Sequence, residues 1–211
     1  MPRKSAVADW PEVFFSTKES LARVSAARKR GELRDLGPRL YTSRLDLEPA
    51  EVLRKHWRAV VAGYFPGSVI GFRTVLEGKP TKAGEVFITA DTRRLLELDG
   101  LRISAVEGPG ALEDDMPLPF GLFWASRARA LLESARPSRA RGGTARGLRQ
   151  SEREEWLERF LRSEGEDRLN ALRDHMRRLA VSGDAADAAP LPDAEEAFRT
   201  LDAVIGALLG T

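Results

Sequence analysis

An amphipathic stripe that begins near Pro49 constrains the fold of this chain more than any other feature. Apolar residues recur there at spacings of three to five, and they are Val52, Leu53, Trp57, Val60, Val61, Tyr64 and Phe65. This period places them on one face of a helix, which must be buried. Pro49 suits the first turn of that helix because no hydrogen bond is lost there. The sequence therefore predicts a core helix that begins at Pro49 and ends at Pro66-Gly67.

Short apolar segments separated by turns follow this helix. The alternation over Glu85 to Ala90 and over Leu101 to Val106 predicts two strands, with a charged segment between them. The run LPFGLFWASRARALLESA then predicts a strand that passes into a helix near Ser126. Strands and helices mixed in this order predict an α+β fold, and residues 47–135 are interpreted as a small mixed α/β domain.

A basic helix and a hairpin are predicted before that domain, within residues 1–46. Ser16 and Glu19 have the spacing of a capping box, and Gly31 supplies a C-terminal stop. These signals predict a helix from Ser16 to Gly31. The following run, RDLGPRLYT, predicts two short strands joined by a Gly-Pro turn.

Linkers and helices alternate in the C-terminal third. Residues 136–150, RPSRARGGTARGLRQ, are rich in arginine and glycine and are interpreted as a linker. Ser151 and Glu154 form a second capping-box pattern, which begins a predicted helical hairpin over residues 151–182. A polar linker is predicted over residues 183–192.

The last segment, residues 193–211, predicts a strongly amphipathic helix. Its apolar face consists of Phe198, Leu201, Val204, Ile205, Leu208 and Leu209. Such a face must be buried against a partner. Two alternatives are open: the helix packs back onto the body of the chain, or its partner lies outside this sequence, which would then be a fragment of a longer protein.

Net charge does not identify a binding partner, because 34 Lys and Arg residues stand against 32 Asp and Glu and leave +2. Local clusters matter more, and one surrounds the first helix and its hairpin. The candidate DNA-binding residues of that cluster are Arg23, Arg28, Lys29, Arg30, Arg34, Arg39 and Arg44. The alternative is a solvated helix end whose cations are favoured by the helix dipole. Arg139 and Arg141 are a separate candidate contact for phosphate or RNA.

No catalytic motif is present, and we predict that the chain is not an enzyme. There is no cysteine and there are two histidines far apart, His56 and His175, so neither a metal nor a cofactor is expected. The sequence contains no dinucleotide-binding, phosphate-loop or nucleophile-elbow motif. The tripeptide EGK at 77–79 matches part of a nuclease metal site but lacks a second carboxylate at a defined place. Asp114 and Asp115 are interpreted as acids of a solvated loop.

The order of these segments resembles that of AbiEi-type antitoxins and transcriptional regulators, over approximately residues 17–135. The resemblance runs through ARKRGELRDLGPRLYTSRL, the Trp57 helix, FPGSVIGFRTVLEGKPTKAGEVFIT, GLRISAVEGPG and LFWASRARALLES. It implies an N-terminal winged helix, an α/β-type domain, and DNA binding in the autoregulation of type IV toxin–antitoxin operons. The winged helix would be abbreviated here, because Pro11 interrupts the short segment before Ser16.

The full length is similar to a subset of Fic-family proteins that carry an AbiEi-like region before the catalytic domain. Fic enzymes transfer AMP through an HxFxxGNGR-type loop, which this sequence lacks. The leading prediction is a non-enzymatic regulator that binds promoter DNA. The alternative is the N-terminal regulatory or interaction region of a Fic-type enzyme, and the protein partner would be a cognate toxin or a Fic catalytic domain. A cytoplasmic location without a membrane partner is expected, since no apolar run is long enough to span a bilayer.

Overall fold

The computed structural model describes residues 10–136, 143–181 and 191–210. Helices and strands are mixed along the chain, so the predicted α+β class is confirmed. The chain divides into two compact units, of which the first comprises residues 1–64 and 97–101 and the second comprises residues 65–96 and 102–211. The boundary predicted between residues 46 and 47 falls inside the first unit.

The helices and strands have the following bounds. The helices are α1 (Leu21–Lys29), α2 (Pro49–Lys55), α3 (Trp57–Tyr64), α4 (Phe72–Glu77), α5 (Arg127–Ala135), α6 (Gln150–Glu164), α7 (Glu166–Val181) and α8 (Ala194–Leu209). The strands are β1 (Val13–Phe15), β2 (Arg34–Gly37), β3 (Leu40–Thr42), β4 (Val69–Ile70), β5 (Glu85–Ala90), β6 (Arg94–Leu98), β7 (Leu101–Glu107), β8 (Met116–Leu118) and β9 (Leu122–Trp124).

The first unit contains a three-stranded antiparallel sheet in the order β1-β3-β2. Strands β2 and β3 form the predicted hairpin, and Thr42 of the central strand lies opposite both Val13 and Arg34. Helix α1 adds Val24 and Ala27 to a small cluster with Leu33, Trp10, Phe14 and Tyr41. A helix followed by a hairpin is therefore present, and a third strand pairs with the hairpin.

Helix α1 begins at Leu21 and not at Ser16, so the first capping-box prediction is wrong. Ser16 is buried, and its N–H donates to the carbonyl of Arg39 at 2.8 Å. Because this bond ties Ser16 to the hairpin turn, Ser16 does not cap a helix. Ser20 occupies the N-cap position of α1, and its hydroxyl accepts a bond from the N–H of Thr17 at 2.8 Å.

The stripe after Pro49 is buried as predicted, but it lies on two helices. Pro49 stands in the first turn of α2, which the sequence analysis predicted. The backbone then leaves helical geometry at His56, where φ is −106° and ψ is 19°, and α3 begins at Trp57. The buried side chains of the two helices are Val52, Leu53, Trp57, Val60 and Val61.

A mixed six-stranded sheet has the order β6-β7-β5-β4-β9-β8. Strands β5 and β7 are parallel and so are β4 and β9, whereas β4 runs antiparallel to β5 and β8 antiparallel to β9. The two strands predicted from the alternation correspond to β5 and β7. The charged segment between them, for which no element was predicted, forms β6, where Leu96 is the only fully buried residue.

Helix α5 begins where the sequence analysis placed it. The hydroxyl of Ser126 accepts a bond from the N–H of Arg129 at 3.2 Å, which caps the helix. The predicted helical hairpin is also present, as α6 and α7. However, α6 begins at Gln150, and the carboxylate of Glu152 accepts the N–H of Arg149 at 2.6 Å. Ser151 is therefore not the N-cap, which corrects the second capping-box prediction.

Helix α8 packs on the other helices of the second unit. Its apolar face joins one core cluster with α5, α6 and α7, whose members include Leu131, Leu157, Leu169, Met176, Leu201 and Ile205. Of the two alternatives for the terminal segment, the structure shows the one in which the helix packs back onto the chain. Of the two predicted linkers, residues 137–142 and 182–190 lie outside the described residues, and residues 143–149 are irregular. None of the described helices is long and apolar enough to span a membrane.

Candidate nucleic-acid interface

Helix α1 lies on the surface of the first unit. Only Val24 and Ala27 are buried, so the rest of the helix is exposed. The exposed positions carry one large apolar side chain, Leu21, together with cations and small side chains, among them Ala22, Ser25 and Ala26. Small side chains let the backbone of a helix approach a partner closely. We define the α1 surface as Arg23, Arg28, Lys29 and Arg30 together with these small residues.

A cleft of about 540 Å³ opens beside the C-terminal end of α1. It brings together three of the predicted DNA-binding residues. The residues that line it are Ser25, Arg28, Lys29, Gly31, Leu33, Arg34, Asp35 and Leu45. Lys29 is exposed and makes no ion pair with any described residue.

The other cations of the α1 surface already have partners. Arg28 forms an ion pair with Asp35 of β2, in which both side chains are about half exposed. Arg30 forms a two-pronged pair with Glu32, at 2.7 and 2.9 Å. The hydrogen bond from Arg30 lowers the pKa of the Glu32 carboxyl. The guanidinium of Arg23 lies 4.4 Å from the centre of the Trp10 ring. Exposed pairs of this kind are worth only about 0–1 kcal/mol, so they can exchange for a stronger anion.

Arg34 and Arg39 hold the hairpin in place. Arg34 donates to the carbonyls of Leu47 and Leu45, at 3.0 and 3.1 Å. Arg39 has φ of 62°, a left-handed conformation that a side chain other than glycine seldom adopts. Its Nε and Nη2 both donate to the carbonyl of Ser16, at 3.2 and 2.9 Å. These two arginines therefore contribute to the structure of the first unit.

Arg44 belongs to a cluster of charges centred on Glu12. Arg44 donates to Asp46 at 2.8 and 2.7 Å and to Oε1 of Glu12 at 2.8 Å. Oε2 of Glu12 accepts from Lys55 and lies against Nε2 of His56, both at 2.8 Å. Hydrogen bonds from Lys55, Arg44 and His56, in that order of size, lower the pKa of Glu12 from 4.5 to about 2. The cluster ties β1 to the end of α2.

The structure thus separates the predicted DNA-binding residues into two groups. Arg28, Lys29 and Arg34 line one cleft, with Arg23 and Arg30 on the same helix and at its end. Arg39 and Arg44 bind the backbone or acids elsewhere in the unit. Arg139 and Arg141 lie outside the described residues.

Sequence reasoning missed a second basic surface, which lies in the second unit. A groove of about 850 Å³ runs between the loop after α4 and one side of α6. Its lining includes five cations, which are Arg73, Lys79, Lys82, Arg127 and Arg159. They are scattered over eighty-odd positions, so no sequence window contains them. The one available signal was the loop EGKPTKAG, which follows α4.

The interpretation of Asp115 as a solvated acid is wrong. Its side chain is fully buried and forms an ion pair with Arg129, which is itself buried. Arg129 also donates to Glu133 and to the carbonyls of Gly110 and Pro109, at 2.9, 2.8 and 2.8 Å. Burial raises the pKa of Glu133, and Arg129 opposes that shift. Among the described residues, no group of three or more His, Cys, Asp or Glu side chains could hold a metal ion.

No protein-family model matches the sequence of this chain, and no curated protein matches it either. The resemblance to AbiEi-type and Fic-associated proteins is therefore still a prediction, and any function must be argued from the geometry.

Proposed function

We propose that this protein is a non-enzymatic regulator that binds double-stranded DNA through the α1 surface. The proposal rests on the exposure of α1. This helix buries two side chains, and its exposed positions carry cations and small residues. The helix is followed by an antiparallel hairpin to which β1 adds a third strand. This arrangement supports the interpretation of the first unit as an abbreviated winged helix, in which helix and wing both approach the duplex.

The cations of the first unit divide between two tasks in this proposal. Arg28, Lys29 and Arg30 contact phosphates, and the exposed acids paired with two of them are displaced at little cost. Arg34 and Arg39 position the hairpin through backbone carbonyls. Three phosphate contacts predict that log K falls with log salt with a slope of about 2.7, or about 0.9 per contact.

The experiment is a fluorescence anisotropy titration of labelled duplexes at salt concentrations between about 50 and about 200 mM. One duplex carries the protein's own upstream region and another carries an unrelated sequence. Lys29→Glu is expected to weaken binding to both duplexes about tenfold and to reduce the salt slope by about 1. The reason is that Lys29 makes no ion pair with any residue that the structure describes, so the change acts on the phosphate contact.

Arg199→Glu is the matched control, since Arg199 is an exposed arginine of α8 in the second unit. It makes the same change in net charge, on a surface that the proposal does not use. The proposal is wrong if the wild-type protein binds neither duplex at low salt. Equal losses in the Lys29 and Arg199 variants would also sink it, because they would point to net charge and not to α1.

The alternative function, the regulatory region of a Fic-type enzyme, is based on the resemblance to Fic-family proteins and agreed with a terminal helix whose apolar face had no obvious partner in the sequence. That face is packed in the core cluster of the second unit. No geometric observation within the described residues favours this alternative over DNA binding.

A further inference from the structure

The groove of the second unit, which we name the α6 groove, has walls that are fixed by the fold. One wall is the loop that follows α4, and the other is α6, with the first turn of α5 at one end. The indole Nε1 of Trp156 donates to the carbonyl of Leu76 at 3.0 Å, so α6 is fastened to the last turn of α4. The volume of about 850 Å³ lies within the range of small-molecule sites.

The lining of the groove is basic. Five cations face two acids, Glu77 and Glu164. Lys79 and Lys82 are exposed, and neither makes an ion pair within the described part of the chain. Arg127 lies 3.5 Å from Glu164, and Arg159 lies 3.0 Å from Glu155. All four of these side chains are more than two-fifths exposed, so the two pairs contribute little stability and can open for an anion.

Arg73 supplies a buried donor to the same groove. It is 8% exposed and lines the groove. Its Nη2 donates to Glu152 at 2.6 Å, which holds the guanidinium in place. Its Nε lies 3.3 Å from Oε1 of Glu77 but is buried without a hydrogen-bond partner among the described residues. A buried polar group without a partner is costly, so a ligand acceptor that took the place of the Glu77 carboxylate beside this Nε would be stabilised.

An aromatic wall stands beside these donors. The rings of Trp156 and Phe160 are stacked, with centroids 5.3 Å apart and planes 15° apart. Arg127 lies 5.3 Å from the centroid of Phe160. Phe160 is buried, whereas Trp156 keeps part of its surface exposed in the groove. The indole is therefore the aromatic surface that a ligand can reach, and planar rings stack on such surfaces.

We propose that the α6 groove binds a nucleotide, whose phosphate contacts Arg73, Lys79 and Lys82 and whose base stacks against Trp156. Cations that follow a groove together with an aromatic platform are the combination that binds phosphate and base in the same ligand. An acidic peptide would use the cations but not the indole. The nucleotide comes either from the free pool or from a single-stranded nucleic acid, and both sources present the same chemistry.

The test uses the full chain and two probes, the fluorescent nucleotide mant-ATP and a short fluorescein-labelled oligothymidylate. At low salt at least one probe is expected to bind. Lys82→Glu is expected to weaken that binding at least about fivefold, because a phosphate contact is replaced by a repulsion. Arg159→Glu should also weaken it, by a smaller factor, because Arg159 lines the same groove but is not one of the three phosphate contacts. Both residues are exposed, so neither variant is expected to unfold the protein.

Arg199→Glu and Lys29→Glu serve as controls and are expected to bind the probes as the wild-type protein does. If only mant-ATP binds, the ligand of the groove is a free nucleotide. If only the oligothymidylate binds, the ligand is a single-stranded nucleic acid. The proposal is overturned if neither probe binds, or if the Lys82 and Arg159 variants both bind like the wild-type protein. These outcomes do not depend on duplex binding by α1, because the variants that test the two surfaces are different.

Discussion

The two basic surfaces of this protein differ in how their cations are used. On the α1 surface, Arg28 and Arg30 are paired with acids and Arg23 lies over the Trp10 ring, so Lys29 is the one cation there without any of these partners among the described residues. In the α6 groove, Lys79 and Lys82 are both exposed and unpaired within the same described part of the chain. The segment with the denser run of cations in the sequence therefore offers fewer cations that have no partner among the described residues.

This difference shows why cation counts overstate the charge that a ligand can reach. The partners of an arginine are residues that are close in space. Its guanidinium can donate to a backbone carbonyl as well as to a carboxylate. Arg39, for example, binds the carbonyl of Ser16 on a different element. The useful distinction is between cations that stabilise the fold and cations that remain available to a partner.

The largest effect is expected for Arg129, which is wholly structural. Arg129→Met removes the partner of buried Asp115 and two bonds to backbone carbonyls. Breaking a buried ion pair from one side costs about 3–5 kcal/mol, because the other charge is left without compensation. Urea denaturation of the full chain measures the loss. Arg127→Met is the control in the same helix, since Arg127 is more than half exposed, and it should change stability by no more than about 0.5 kcal/mol. Equal losses of stability in the Arg129 and Arg127 variants would contradict the distinction between structural and available cations.

A smaller effect is expected for Arg39. Arg39→Asn keeps a residue that tolerates positive φ and removes two bonds to the carbonyl of Ser16. The first unit should lose about 1 kcal/mol, which is below the range of about 1.5–3 kcal/mol for bonds with charged groups because the Arg39 side chain is exposed. Lys29→Ala should cost less than about 0.5 kcal/mol. Chemical denaturation measures the free energy of unfolding of both variants. A larger loss of stability for Lys29→Ala than for Arg39→Asn would show that Lys29 stabilises the fold.

The smallest effect concerns the charge cluster at Glu12. The pKa of Glu12 is lowered to about 2 in the folded chain from 4.5, chiefly by hydrogen bonds from Lys55 and Arg44. A lowered acid pKa stabilises the fold above the unfolded value, and this stability is lost as pH falls from about 4.5 towards about 2. Glu12→Gln should therefore flatten the thermal stability curve of the protein over that pH range. If the thermal stability of wild type and variant changes in parallel over that pH range, the Glu12 cluster does not stabilise the fold.

Local signals in the sequence predicted several parts of the fold. Pro49 and Ser126 mark the starts of α2 and α5, because Pro49 suits the first turn through its own fixed φ and Ser126 caps the helix through a bond from nearby Arg129. The same reasoning was wrong for Ser16, because its N–H donates to the carbonyl of Arg39 in a hairpin that is distant in sequence. Strand β6 was missed because only Leu96 among its residues is fully buried, so the apolar alternation is weak. The packing of α8 was undecided because a stripe shows which face is buried but not what covers it.

The candidate sites were predicted only in part. The cations of α1 are close in sequence, so the run ARKR identified that surface. The sequence could not show that Asp35 and Glu32 pair with Arg28 and Arg30. The α6 groove was not predicted at all, because Arg73 and Trp156 meet only when α4 and α6 are packed together.

The most direct test of the account is a crossed binding measurement with two single variants. Lys29→Glu and Lys82→Glu are each titrated with a labelled duplex and with whichever of mant-ATP and oligothymidylate binds the wild-type protein, at one salt concentration. The account predicts that Lys29→Glu weakens only duplex binding and that Lys82→Glu weakens chiefly binding of the second probe. Losses of equal size for both ligands in both variants would contradict it, because they would show one diffuse basic surface in place of two distinct ones.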